Sequence, residues 1–407
     1  MSQETLKMSR KERRRLVVMR RYARGEILLK EAAWEMRVSV RQAIRIKQRF
    51  EERGAEGLIH RSRDAVSKRS YAPEFRGKVL ELYQEKYHDF GPTLACEKLA
   101  ESDSIEVSRE TLRQWLIADG MWRVGAKERV HRTKRPRRER FGEMLQIDGS
   151  DHAWFEERAP RSTLMVLVDD ATGKIMLHMA PSETTEAALT LLGKWIGAHG
   201  VPVALYADRR TAYFTQAFIQ EPERRDDPET FTQFMRVARR LGLEMIPAYS
   251  PQGKGRVERM NGLLQDRLVK ELRLLGIDTI DGANAMLNDF ANEMNRRFEK
   301  EPLRPADAHR RAPKGRREWD ALFCYEETRK VQKDNTVVWR NQWWQILNQE
   351  GAPKPGQTVT LRTPLSAREP YWVLGEKRLK TRYLGAVKRR VPRPLGGQPP
   401  HPRDLAH

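Results

Sequence analysis

The sequence predicts a multidomain fold: an all-α front, a central α/β body on a mixed five-stranded sheet, and a small β-barrel before the C-terminal tail. Three observations support this. Apolar residues recur at three- and four-residue steps as far as about residue 125, which is helical spacing. From Phe141 short apolar runs alternate with amphipathic stretches, and residues 334–385 are rich in β-branched and aromatic residues broken by turns. The chain has 407 residues, enough for roughly two to three domains, each with a core of its own.

In the front part, residues 10–23 carry Leu16, Met19 and Tyr22 on one stripe, and residues 28–36 form a short second helix with the small Ala32 and Ala33. Ser39 stands where it can cap a third helix running to about Arg53. Small residues at a crossing, the tight Arg37-Val38-Ser39 turn and an exposed third helix are the grammar of a helix-turn-helix domain over 10–62. Its outward face would carry Arg41, Gln42, Arg45 and Arg49, side chains suited to phosphates and guanine edges. A second such domain is expected over 70–125, with helices at 73–87 and 92–101 and a third helix capped near Ser108. There Leu112, Trp115 and Leu116 turn inward, and Arg109 and Arg113 point to phosphates. Lys134, Arg135, Arg137 and Arg138 belong to a basic linker over 126–140, a charge run equally suited to a nucleic-acid groove and to a solvated surface.

The central body, 141–310, reads as strands at 143–148, 164–170, 174–178, 203–208 and 243–246. Helices are expected at 184–198 and 231–241, with a long one from Gln252 to about Leu275. Val337 to Trp339, Trp343-Trp344, Thr358 to Leu361 and Tyr371 to Leu374 would build the barrel within 330–390, the tryptophans packing its core. The Pro/Gly-rich residues 391–407 are expected to be disordered.

Charge sharpens this division. The chain carries 77 Lys+Arg against 56 Asp+Glu, a formal net charge of +21, which argues for a polyanionic partner. Residues 1–140 hold 35 basic and 21 acidic side chains, residues 141–310 hold 22 and 26, and residues 311–407 hold 20 and 9. Two basic flanks thus bracket a mildly acidic centre, as expected if the flanks grip phosphates while the centre keeps carboxylates for metal. Cys96 and Cys324 are far apart in the sequence, so neither a disulfide framework nor a cysteine zinc site is suggested. With no apolar segment at the N-terminus and no run long enough to span a bilayer, a cytoplasmic protein is expected.

Within the acidic centre, Asp148 and Asp208 each close an apolar strand-like run, and Glu258 lies in the long helix. Carboxylates so placed can hold two divalent cations roughly 3.5–4 Å apart over a phosphodiester, one activating the attacking oxygen and one stabilising the leaving oxygen. Mg²⁺, or Mn²⁺, suits such hard oxygen ligands. Lys254 and Asn261 share the face of Glu258, Lys254 to meet the DNA backbone and Asn261 to brace the Glu258 carboxylate. Asp151, Asp169 and Asp170 are weaker ligand candidates, Asp170 fitting a hairpin turn before Thr172-Gly173, and His152 and His178 read as structural.

These residues carry a resemblance. Leu145 to Ser150, Leu205 to Asp208 and Pro247 to Asn261 resemble the DDE core of retroviral integrases and insertion-sequence transposases. With its helix-turn-helix front the chain resembles an ISNCY-type bacterial transposase over most of residues 10–385. The resemblance implies a ribonuclease-H-like fold, Asp148, Asp208 and Glu258 as metal-binding acids, and two Mg²⁺ or Mn²⁺ ions. It further implies cleavage of the 3′ ends of terminal inverted repeats, strand transfer into double-stranded target DNA, and a homodimer or larger assembly on DNA. Asp208 and Glu258 have 49 residues between them, longer than is familiar in retroviral integrases, with the polar run Glu221 to Glu229 as the presumed surface insert. Where many relatives continue Asp-Asn-Gly, this chain has Asp208-Arg209-Arg210-Thr211. The competing classes are a non-catalytic DNA-binding regulator, which predicts a damaged acid set, and a ribonuclease-H-type nuclease, which more typically adds a fourth carboxylate.

Overall fold

A computed structural model describes residues 8–60, 71–123, 135–248, 255–366 and 369–386; Lys134, Lys254 and the tail 391–407 lie outside the described residues. The chain divides into two compact units, residues 1–126 and 127–407.

The first unit begins with α1 (Arg10–Ala23), α2 (Leu29–Glu35) and α3 (Val40–Arg53). Ser9 and Glu12 close a reciprocal capping box on α1, and the Glu12 carboxylate also accepts from the His60 backbone N–H at 2.9 Å. Met19, Ala32, Ala33, Ala43 and Ile46 fill the core, the alanines letting α2 and α3 approach closely. Arg37 adopts φ 55° in the turn between them, and Ser39 caps α3 by accepting from the Gln42 N–H at 3.2 Å. A second helical trio follows: α4 (Pro73–Lys86), α5 (Pro92–Asp103) and α6 (Arg109–Ala118). Its core holds Tyr83, Phe90, Leu94, Leu99, Leu112 and Leu116, and the buried Tyr83 hydroxyl donates to the Phe90 carbonyl at 2.8 Å. Trp115 is half-buried against Tyr71 and Phe75.

The second unit is built on β1 (Met144–His152), β2 (Ser162–Asp169), β3 (Ile175–Ala180), β4 (Ala204–Ala207) and β5 (Glu244–Pro247), in the order β3-β2-β1-β4-β5. β1, β2 and β3 pair antiparallel, while β4 runs parallel to both β1 and β5. The sheet is therefore mixed and five-stranded, as expected. Strand alternation sends Leu145, Ile147, Met165, Leu167, Leu205 and Ala207 to one face, packed against α7 (Thr185–His199) and α9 (Gln233–Arg240). Leu164, Val166, Val168, Ile175 and Leu177 line the other face, under α10 (Gly255–Leu274) and α11 (Ile280–Phe298). Between β4 and α9, after the short α8 (Gln216–Gln220), the polar insert forms two 3-10 turns, Pro222–Arg224 and Pro228–Thr230, with Arg224 paired to Glu221 and Asp227.

After α12 (Arg316–Leu322) come β6 (Cys324–Lys330), β7 (Thr336–Trp339), β8 (Gln342–Ile346), β9 (Thr358–Pro364), β10 (Tyr371–Leu374), β11 (Lys377–Arg378) and β12 (Thr381–Ala386). The expected small barrel is not a closed ring among the described residues: β11-β10-β9-β6 and β12-β8-β7 are two open antiparallel sheets. They share one core of Val337, Trp339, Val359, Leu361 and Trp372, so the aromatic content serves packing, with Trp343 and Trp344 only half-buried. The buried Arg362 and Glu326 pair at 2.8 Å, and Arg236 and Arg240 of α9 reach the same Glu326 carboxylate at 3.1 and 2.6 Å, tying these sheets to the central body.

His199 closes α7 against Phe141 and Trp195, and burial there lowers its pKa to about 4. The folded chain holds it neutral, whereas the unfolded chain protonates near its ordinary value of about 6.5. Its contribution to stability is therefore full above about pH 6.5 and is lost as the pH falls towards 4. Urea unfolding between pH 7.5 and 4.5 should show that decline, and His199→Phe should flatten it.

Candidate active site

Register decides which acids meet. β1 and β4 pair Met144 with Ala204, Leu145 with Leu205 and Gln146 with Tyr206; the same parallel register, continued, sets Asp148 level with Asp208 just past the end of β4. Neighbouring strands are about 4.8 Å apart. Because Ile147 faces α7, the Asp148 side chain points to the α10 side.

Helix α10 lies along β1 and is fastened to it at regular intervals. The Val257 N–H donates to Gln146 Oε1 at 3.3 Å, Asn261 Nδ2 to Asp148 Oδ2 at 3.0 Å, and Gln265 Nε2 to Ser150 Oγ at 3.0 Å. Four helical residues rise about 6.0 Å and two strand residues about 6.7 Å, so the two repeats keep step over this length. Asn261 thus braces Asp148, not the Glu258 carboxylate expected from the sequence. Helical periodicity could put Asn261 beside Glu258 but could not show which strand residue α10 covers. Glu258 is exposed, one residue on from Val257 and one turn before Asn261. Among the described residues no three His, Cys, Asp or Glu side chains gather closely enough to hold a metal ion. Even so, the hard oxygens of Asp148 and Asp208 suit a divalent cation. Beside them Asn261 Oδ1 is buried with no hydrogen-bond partner, an acceptor that a hydrated cation could satisfy.

Two residues that the sequence did not single out complete the acidic end. Arg210 pairs with Asp208 at 3.0 Å and with Glu183, while its own backbone N–H donates to Asp208 Oδ1 at 3.1 Å. Glu183, in the turn before α7, also accepts from the Tyr213 hydroxyl at 3.2 Å. Burial pushes the Glu183 carboxyl above its ordinary pKa; Asp208 and Asp148 push the same way, and Arg210 opposes them. Gly149 makes room for it: a Cβ there would lie 2.6 Å from Glu183 Oε2. Gly149 follows Asp148 on the strand, so Glu183 sits on the face opposite the Asp148 side chain. The only sequence signal for this pair was the replacement of Asn-Gly by Arg209-Arg210 after Asp208.

Asp170 is not the plain turn residue expected. Asp169 makes the turn, accepting from Thr172 N at 2.7 Å and Gly142 N at 2.9 Å. Asp170 is fully buried and gathers Arg135, the Arg138 N–H at 2.8 Å, Gln146 Nε2 at 2.9 Å and Arg256 Nη1 at 2.9 Å. It thereby fixes the first turn of α10. The linker arginines have partners inside the protein as well, Arg137 donating to the Ala171 carbonyl at 2.8 Å and Arg138 pairing with Glu143 at 3.6 Å.

In the first unit, Arg41 and Arg45 are exposed on α3, Gln42 and Arg49 are half-buried, and Val40 and Ile44 are 43% and 50% exposed beside them. Two apolar side chains one turn apart on a basic helix suit thymine methyl groups, a signal the sequence reading passed over. On α6 Arg109 is exposed, whereas Arg113 is held by Glu110 at 2.7 and 2.6 Å.

Comparison with known proteins agrees with this layout. A model of a homeodomain-like domain matches residues 42–116, and one of a helix-turn-helix domain matches residues 14–65. "Putative transposase y4bF" of Sinorhizobium fredii (strain NBRC 101917 / NGR234) is 40% identical over 304 residues, 74% of this chain and 65% of that relative. Over about three quarters of its length the chain is thus similar to a bacterial transposase. A second transposase, that of insertion sequence IS1202 from Streptococcus pneumoniae, is 29% identical over 70% of this chain and 68% of that relative. The match to y4bF thus spans a little under two thirds of its length. Among solved structures, the HTLV-2 integrase catalytic core domain in complex with magnesium is similar over 39% of this chain and 88% of its own, at 18% identity and a TM-score of 0.29. No helix of the described residues is long and apolar enough to cross a membrane.

Two stability outcomes test these placements. Asp170→Ala leaves Arg256 and Gln146 without their buried acceptor and should cost about 3 kcal/mol in urea unfolding. Gly149→Ala forces the Glu183 carboxylate off the strand and should cost about 1–3 kcal/mol.

Proposed function

We propose that this chain is a DDE transposase that binds the terminal inverted repeats of its element, cleaves their 3′ ends and joins them to double-stranded target DNA. The observation that carries the reading is the parallel register of β1 and β4, which when continued brings Asp148 level with Asp208, with α10 fastened over Asp148 through Asn261. Asp148 and Asp208, joined by Glu258 from α10, would hold two Mg²⁺ or Mn²⁺ ions, and bound ions would supply an activated attacking oxygen and a stabilised leaving oxygen. Asn261 orients the Asp148 carboxylate by donating its N–H to Oδ2. The strand order β3-β2-β1-β4-β5 supports the ribonuclease-H-like assignment of the core.

Recognition falls to the first unit. Arg41, Gln42, Arg45 and Arg49 on α3 and Arg109 and Arg113 on α6 meet phosphates and base edges, with Val40 and Ile44 against thymine methyls. Lys134 and Lys254 are assigned to the DNA backbone from the sequence alone, and Arg135, Arg137 and Arg138 divide their charge between that backbone and the core. Holding two element ends together calls for a homodimer or larger assembly on DNA.

The nuclease alternative expects a fourth carboxylate in the cation site. Glu183 is a fourth carboxylate nearby, but its place behind Gly149, paired to Arg210, favours a supporting part. End-containing oligonucleotides incubated with Mn²⁺ separate cutting with joining from cutting alone and from binding alone. Asp148→Asn, Asp208→Asn and Glu258→Gln should each lower cleavage at least roughly 100-fold with DNA affinity retained. Unchanged cleavage in any of them removes that residue from the site. Asn261→Ala should weaken divalent-cation binding by about 10–100-fold, read by calorimetry.

A further inference from the structure

The acidic end of the sheet already holds a positive charge. Arg210 bridges Asp208 and Glu183, and its charge is stabilised also by Asp148. Glu183 is nearly buried, seated on Gly149 and fixed by the Tyr213 hydroxyl, so it is the immobile end of the bridge. The Arg210 side chain is 58% exposed, so its other end has solvent to move into. A guanidinium paired with a carboxylate occupies lone-pair directions that a cation ligated by that carboxylate would need.

We propose that Arg210 is a tethered counter-cation: anchored on Glu183, it positions Asp208 in the metal-free chain and must release that carboxylate when a divalent cation binds. This rests on the assignment of Asp148 and Asp208 as metal ligands. Two consequences follow from the charge balance. Without metal the bridge relieves repulsion among Asp148, Asp208 and Glu183, so Arg210 stabilises the fold. With metal the same charge competes, so Arg210 weakens cation binding. A merely structural arginine would not produce opposite signs, because its loss would loosen the site and weaken binding too.

The test is calorimetric titration of the full chain with Mn²⁺ at low ionic strength, where an exposed charge is least screened, joined to thermal unfolding with and without Mn²⁺. Arg210→Gln should bind Mn²⁺ roughly three- to tenfold more tightly than the parent. It should unfold at a lower temperature without metal and show a larger rise on adding it. Arg210→Lys, which keeps the charge, should stay near the parent. Equal or weaker Mn²⁺ binding by a folded Arg210→Gln overturns the proposal, as does binding by neither parent nor variant. Asp148→Asn and Asp208→Asn separate the two readings. If they lose Mn²⁺ while Arg210→Gln matches the parent, only the counter-cation idea fails. If they bind Mn²⁺ as the parent does, the metal-site assignment itself falls.

Discussion

The candidate site depends on one fit, that of helix α10 to strand β1. Val257, Asn261 and Gln265 advance by one turn each while Gln146, Asp148 and Ser150 advance by one pleat pair, and polar contacts recur at every step. Such a seam must be polar at strand positions that would otherwise be filled by apolar core, and each group in it needs a partner to offset its desolvation. Leu264, Leu268 and Leu272 carry the apolar packing of the same helix beside the seam. The helix is therefore held by burial and aligned by hydrogen bonds.

Charge inside the core serves the same alignment. Asp170 has no exposed surface, yet it links the start of the body at Arg135 and Arg138, the strand at Gln146 and the helix at Arg256. Gln146 is shared between this carboxylate and the Val257 N–H, so the position of the first turn of α10 passes through one buried amide. Glu326 has a comparable role farther on, gathering Arg236, Arg240 and Arg362 where the C-terminal sheets join the body.

Much of this was legible in the sequence because it follows from periodicity. The helices of the first unit, the Ser39 and Ser108 caps, the five central strands and the place of Asp208 just past a strand end all came from local pattern, whereas Asp148, expected to close its strand, lies in the middle of β1, which runs on through Gly149 to His152. What failed to show was long-range pairing. The placing of Asn261 on Asp148, the buried hub at Asp170 and the Arg210–Glu183 bridge each join residues distant in sequence, and no local spacing encodes them. The barrel expectation had a related cause. Alternation identifies strands such as Val337 to Trp339 but does not say whether their sheet closes, and among the described residues they form two sheets over a shared core. Glu258 was found by motif, and its exposed place on α10 follows from Val257 and Asn261 turning towards β1.

The alternation along β1 has a further consequence for quality control. Its odd-numbered residues Leu145 and Ile147 belong to one core and its even-numbered residues to the seam, so a slip by a single residue would exchange the two sets. Aspartate would then be thrust among the leucines of α7, and isoleucine would meet the amides of α10. A mispaired sheet would be both unstable and without its acids aligned, so the chain has no stable way of being folded yet inert by misregister.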